Sequence, residues 1–188
     1  MSVNLSATDN AGGSGVKEMI YSASGAQRLA STTVPGASAV IPITREGTTT
    51  ITYRARDHAG NLAAARTVTV KLDKTPPVVV AVALPALLRP ADHRLVNIRV
   101  TVGVVDLLSG ANGFTLVSVT SSEPDSGTGG GDVPGDIVGW ALNTADRAGQ
   151  VRAERSPTGR GRVYTLRYEA TDKAGNKRIV PAFVAVPR

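Results

Sequence analysis

The sequence predicts an all-β chain of two tandem β-sandwiches, and three observations carry that reading. The first is a repeated element. Residues 51–61 read Ile-Thr-Tyr-Arg-Ala-Arg-Asp-His-Ala-Gly-Asn and residues 166–176 read Leu-Arg-Tyr-Glu-Ala-Thr-Asp-Lys-Ala-Gly-Asn, sharing Tyr, Ala, Asp, Ala, Gly and Asn at the same offsets. The second is an abundance of Thr, Val and Gly with little helical periodicity, the composition of strands and turns. The third is length: 188 residues suit two small domains better than one. A Pro-Pro pair at 76–77 marks the joint, which divides the chain into domains 1–74 and 75–188.

Within the repeat, alternation comes first. Ile51, Tyr53 and Ala55 fall on one face, and Thr52, Arg54 and Arg56 on the other. In the second copy Tyr164, Leu166, Tyr168 and Ala170 alternate with Thr165, Arg167, Glu169 and Thr171. A period of two with one apolar face is a half-buried antiparallel strand. Turn chemistry follows. Asp57 and Asp172 can accept downstream amides, Gly60 and Gly175 supply positive φ, and Asn61 and Asn176 tolerate the left-handed region. We expect a type I turn closed by a left-handed glycine, with the returning strands at 65–72 and 179–186. Metal binding by the two Asp residues is the alternative to capping.

The elements before the first repeat are a strand at 3–8, a loop from Asp9 to Gly15, a strand at 16–22, and weaker strands at 27–33 and 37–44 around Pro35-Gly36. Six strands in the first 72 residues are spaced as in a sandwich. A seven-stranded sandwich wants one more at the front, so we expect the first strand of domain one to be lacking or to lie upstream, and the chain to be part of a longer protein. Asp73-Lys74-Thr75-Pro76-Pro77 is a short, stiff linker, because two prolines fix φ and remove two donors. Domain two opens with a strand at 78–84. A strand at 95–105 follows, with Val96, Ile98, Val100, Val102 and Val104 on one face. The loop from Asp106 to Ser109-Gly110 echoes the Asp9 loop. Strands at 114–120, 137–143 and 150–155 flank a long Gly-rich acidic loop at 121–136, and Pro157 to Gly161 turns the chain into the second repeat.

Composition narrows the function classes. Hydrophobic residues make up 41% and aromatics only 4%, so the cores lean on Val, Leu, Ile and Ala. With no cysteine, disulfides and thiolate metal sites are excluded. No apolar run approaches the ~20 residues of a membrane helix, so no membrane insertion is expected. The net charge of +6 divides evenly, with 8 basic and 5 acidic residues up to Lys74 and 13 and 10 beyond it. Nucleic-acid binders concentrate their charge and interleave aromatics; this chain does neither, and no nucleic-acid partner is expected.

With these residues in view, the chain resembles the bacterial immunoglobulin-like (hyalin-repeat-like) domains of secreted and cell-surface proteins. Residues 7–16, 53–61 and 73–78 look like one such repeat. Residues 90–96, 118–124, Arg152-Ala153-Glu154-Arg155-Ser156 and Gly161-Arg162-Val163-Tyr164 look like landmarks of a related module. Modules of that kind often open with Trp-Pro-Pro-Asn-His, from which Leu88-Arg89-Pro90-Ala91-Asp92-His93 departs. The resemblance implies two tandem immunoglobulin-like or fibronectin-III-like β-sandwiches serving as stalk or accessory modules. It also implies a secreted or cell-surface location, with neighbouring domains of a longer chain, a surface protein or a polysaccharide as partners.

Little points to catalysis. The only histidines, His58 and His93, lie in a turn and before a strand, and no nucleophile elbow or metalloprotease helix is present. The Gly-rich run at 127–131 lacks the Gly-Lys-Ser/Thr ending of a phosphate loop. We expect no enzyme. The acidic loop is the candidate site: Glu123, Asp125, Asp132 and Asp136 lie among glycines, and calcium suits flexible carboxylate clusters. Against this stands a plainer reading, in which Arg147, Arg152, Arg155, Arg160 and Arg162 make exposed ion pairs with the loop, each contributing under about 1 kcal/mol. Trp140, the sole tryptophan, reads as core; a carbohydrate-stacking role is the runner-up.

Overall fold

The computed structural model describes residues 1–126 and 131–188; residues 127–130, at the centre of the Gly-rich loop, lie outside the described residues. Among the described residues there is no helix, and all thirteen strands belong to antiparallel sheets. The chain divides into two compact units, Met1–Lys74 and Thr75–Arg188.

The first unit holds β1 (Ser2–Ser6), β2 (Val16–Gly25), β3 (Leu29–Pro35), β4 (Ser38–Pro42), β5 (Gly47–Asp57) and β6 (Arg66–Leu72). They form a two-stranded sheet β1-β4 and a four-stranded sheet β3-β2-β5-β6. Alternation turns Leu5 and Ile41 of the small sheet, and Met19, Ile51 and Val70 of the large one, into one shared apolar core. Among the described residues β1 is paired on one edge only, to β4.

The second unit holds β7 (Val78–Leu84), β8 (Leu95–Val105), β9 (Ala111–Ser121), β10 (Ile137–Val138), β11 (Ala148–Arg152), β12 (Gly161–Asp172) and β13 (Lys177–Pro187). Its sheets run β10-β11-β8-β7 and β13-β12-β9. β12 is the central strand of its sheet, paired on both edges, and its inward residues Tyr164, Leu166, Tyr168 and Ala170 are fully buried. Burying Leu166 alone contributes roughly 1.5–3 kcal/mol. The core also takes Ile98 and Val100 from β8, Leu116 from β9 and Val184 from β13.

One expected strand is mostly absent. Instead of running over 137–143, the strand stops at Val138, because Gly139 adopts φ +75° and turns the chain out of the ladder. Asn143 enters the left-handed region in turn, and its amide donates to the Leu116 carbonyl. The strand expected at 150–155 is shifted to Ala148–Arg152. That leaves Ala153–Arg155 free to leave the sheet and form part of the site below.

Candidate functional site

Both repeats close in the same way. The Asp57 amide donates to the Asn61 carbonyl (3.1 Å), the Gly60 amide to the Asp57 carbonyl (3.3 Å), and the Asn61 amide and side chain donate to the two Asp57 carboxylate oxygens, each at 2.8 Å. In the second copy the same bonds join Asp172, Gly175 and Asn176 at 3.1, 3.2, 2.8 and 2.8 Å. Gly60 and Gly175 both sit at φ +91°. The hydrogen bond from the Asn61 side chain is the main cause holding the Asp57 carboxyl below its ordinary pKa. The preceding loops match as well. Asp9 accepts the amides of Asn10 and Gly15, and Asp106 those of Leu108, Ser109 and Gly110. Asp106 and Asp172 bring carboxylate oxygens within 4.8 Å of each other, each already accepting bonds from its own turn.

The four acidic-loop residues part company. Asp125 is exposed, and its carboxylate receives the amides of Gly135 and Asp136 (2.6–3.1 Å), folding the loop back on itself. Asp132 is partly buried. Glu123 and Asp136 turn inward to one guanidinium. Arg162, fully buried on β12, ion-pairs with Asp136, lies 3.3 Å from Glu123 Oε2 and 3.6 Å from Glu154 Oε1, and donates to the Pro124 carbonyl at 3.1 Å. Its guanidinium carbon lies 5.9 Å from the centre of the Tyr164 ring. Arg152 adds a second cation 3.5 Å from Asp136, and donates to the carbonyls of His93, Pro134 and Gly135.

His93 completes the cluster. Its Nδ1 lies 2.8 Å from Glu154 Oε2, which also accepts the Val133 amide. The His93 backbone stands at φ +65°, held by its amide on the Ala153 carbonyl and by the Arg152 guanidinium on its own carbonyl. A non-glycine residue in that region costs of order 1–3 kcal/mol and persists only where its surroundings over-determine it. Tyr164 closes the arrangement: its hydroxyl donates to the Arg152 carbonyl at 2.8 Å, and burial pushes its phenol pKa up.

The cluster therefore sets two guanidiniums and an imidazole against three carboxylates, drawn from the ends of β9, β11 and β12, the 133–136 segment and the turn before β8. Glu154, Asp136 and Arg162 are within 1% of complete burial. Carboxylates so enclosed and so paired are placed to fasten chain segments together, not to reach a substrate. The exposed ion pairs expected of the loop are a correction: among the described residues Arg162 pairs with Glu123 and Asp136, and Arg152 with Asp136, all of them buried or mostly buried. Arg147 lies over the Phe114 ring (5.9 Å), Arg155 bonds the carbonyls of Pro187 and Ser156, and Arg160 is exposed.

Sequence reasoning paired Arg152 and Arg162 with the acidic loop, but did not join Glu154, His93 or Tyr164 to them. One signal was available: Arg162 is in phase with Tyr164, Leu166, Tyr168 and Ala170, so the period of two puts it inside. Trp140 packs against the second core, its indole Nε1–H donating to the Gln150 carbonyl at 3.1 Å. The ring lies against Gly149, where an added Cβ would collide with it. Neither a protein-family model nor a curated protein matches the chain, so its functional reading rests on these residues.

Proposed function

We propose that the chain is a non-catalytic pair of immunoglobulin-like or fibronectin-III-like β-sandwiches from an exported bacterial surface or secreted protein, acting as a spacer or interaction module. The observation that carries this reading is the strand order of the second unit. β10-β11-β8-β7 over β13-β12-β9 is the order D-E-B-A over G-F-C of the seven-stranded immunoglobulin arrangement. Among the described residues, the first unit repeats it with β3 moved beside β2 and with no counterpart of β7. The mechanism is mechanical: hairpins closed by Asp–Asn turns and loops fastened by buried ion pairs give modules that keep their shape while holding a neighbouring domain in place.

Force spectroscopy on the chain, pulled by its two ends, tests this. Two separate unfolding events are expected, one per unit. A chain that extends without a resolvable force peak would refute the mechanical reading. Melting curves in calcium and in chelator belong beside it. With Glu123 and Asp136 already paired to Arg162 and Arg152, we expect the curves to coincide.

A further inference from the structure

One asparagine of the chain differs chemically from the rest. Asparagine stands at positions 4, 10, 61, 97, 112, 143 and 176, and only Asn112 precedes a glycine. A main-chain nitrogen can attack the side-chain carbonyl carbon of the asparagine before it, closing a five-membered imide ring. A side chain on the attacking residue crowds that approach, and glycine has none. The others are followed by Leu5, Ala11, Leu62, Ile98, Thr144 and Lys177. Three of these asparagines are also held by their side chains: Asn61 and Asn176 donate to the carboxylates of Asp57 and Asp172, and Asn97 accepts from the Gln150 amide.

The fold leaves Asn112 open. Asn112 and Gly113 lie near the start of β9, and both are exposed. Ala111 pairs with Asp172 and Phe114 with Ala170, so the two residues between them face Thr171 alone. A bulge of this kind disrupts the ladder and leaves a residue unpaired. Gly113 sits there at φ +102°, with no atom within 4 Å of the place a Cβ would take. Among the described residues, the Asn112 side chain makes no hydrogen bond. An open hollow of about 190 Å³, lined by Asn112, Gly113, Thr115, Glu169 and Thr171, has room for several waters over the pair.

We propose that Asn112–Gly113 is a self-modification site, at which the folded chain converts Asn112 to aspartate and isoaspartate without an enzyme. The Gly113 nitrogen gives up its proton and bonds to Asn112 Cγ, and the side-chain nitrogen leaves as ammonia. Water then opens the imide at either carbonyl. Breaking the new bond gives aspartate, and breaking the original peptide bond gives isoaspartate. Each conversion adds one negative charge to a chain of net +6. The isoaspartate linkage lengthens the main chain by one carbon where β9 and β12 are already out of register, so the pairing from Phe114 onward persists.

The test incubates the full chain in warm, mildly alkaline buffer and follows each asparagine by peptide-mapping mass spectrometry. Asn112 should convert at least about tenfold faster than any other asparagine, while cation-exchange chromatography shows a less basic species accumulating in step. Gly113→Ala should slow that conversion by at least about tenfold and leave the other asparagines as they were. Asn112→Gln keeps an amide but would have to close a larger ring, and should abolish the charge shift whether or not alanine is tolerated at 113. A free peptide spanning residues 108–118 gives the unrestrained rate. If Asn112 converts more than about a hundredfold slower in the folded chain than in that peptide, the ladder locks it and the proposal is overturned. So is it if another asparagine converts first, or if conversion is indifferent to Gly113→Ala.

Discussion

Under β5 the first unit packs Met19, Ile41, Ile43 and Ile51, with the Thr49 hydroxyl as the buried polar group on that strand. Under β12 the second packs Leu116, Leu166 and Val184, and then, at the same strand's beginning, a buried Arg162 with Asp136 and Glu154 around it. The Asp–Gly–Asn turns above these interiors make the same four bonds. A shared turn thus says nothing about what it covers. The ionic interior accompanies the longer irregular connections of the second unit, where short strands leave backbone that a sheet cannot hold. Buried ion pairs fasten such backbone in one arrangement, at a desolvation cost that apolar packing does not carry.

The largest expected effect that would break this comparison is Arg162→Met. It leaves Asp136 and Glu154 buried without their cation, and should destabilise the second unit by about 3–5 kcal/mol while the first melts as before. Calorimetry resolves the two; a shift under about 1 kcal/mol would mean the cluster is not fastened by this residue. Next come Gly60→Val and Gly175→Val. No atom lies within 4 Å of a Cβ at either position, so only the φ of +91° is at stake. Each should cost about 1–3 kcal/mol in its own unit. Unequal losses would show that the matched turns carry different loads.

The smallest effect belongs to Tyr168, fully buried, whose hydroxyl finds no hydrogen-bond partner among the described residues. Tyr168→Phe removes that orphan and should leave stability unchanged or raised by up to about 1 kcal/mol. Burial, reinforced by Asp146, pushes the Tyr168 phenol from 10.0 up to about 12. Folding therefore favours the protonated phenol: that contribution is complete below pH 10 and is lost as the pH rises through 12. The Phe variant should lose less stability between pH 10 and 12 than the parent, and equal alkaline losses would contradict this.

What the sequence made legible follows from period and turn chemistry. β7 and β8 run over the expected residues, and the Asp–Gly–Asn turns bond as their residue types require. Strand 137–143 was not legible, because Gly139 and Asn143 take left-handed conformations that an apolar run does not announce. The charge cluster was half legible. Alternation along β12 places Arg162 inside, but its partners lie from 8 to 39 residues away across irregular segments, and no local pattern measures such closure. Glu123 and Asp136 read either as calcium ligands or as partners of the later arginines, because a carboxylate's sequence surroundings do not reveal which cation faces it.

The contact between Trp140 and Gly149 has an optical consequence. The chain's one indole sits on the backbone of β11, in the second unit, and the first unit has none. Light emitted at tryptophan wavelengths therefore speaks for residues 75–188 alone, while circular dichroism of the strands sums both halves. Two spectra of a single sample, without a label or a mutation, suffice to tell whether the halves come apart together or in turn.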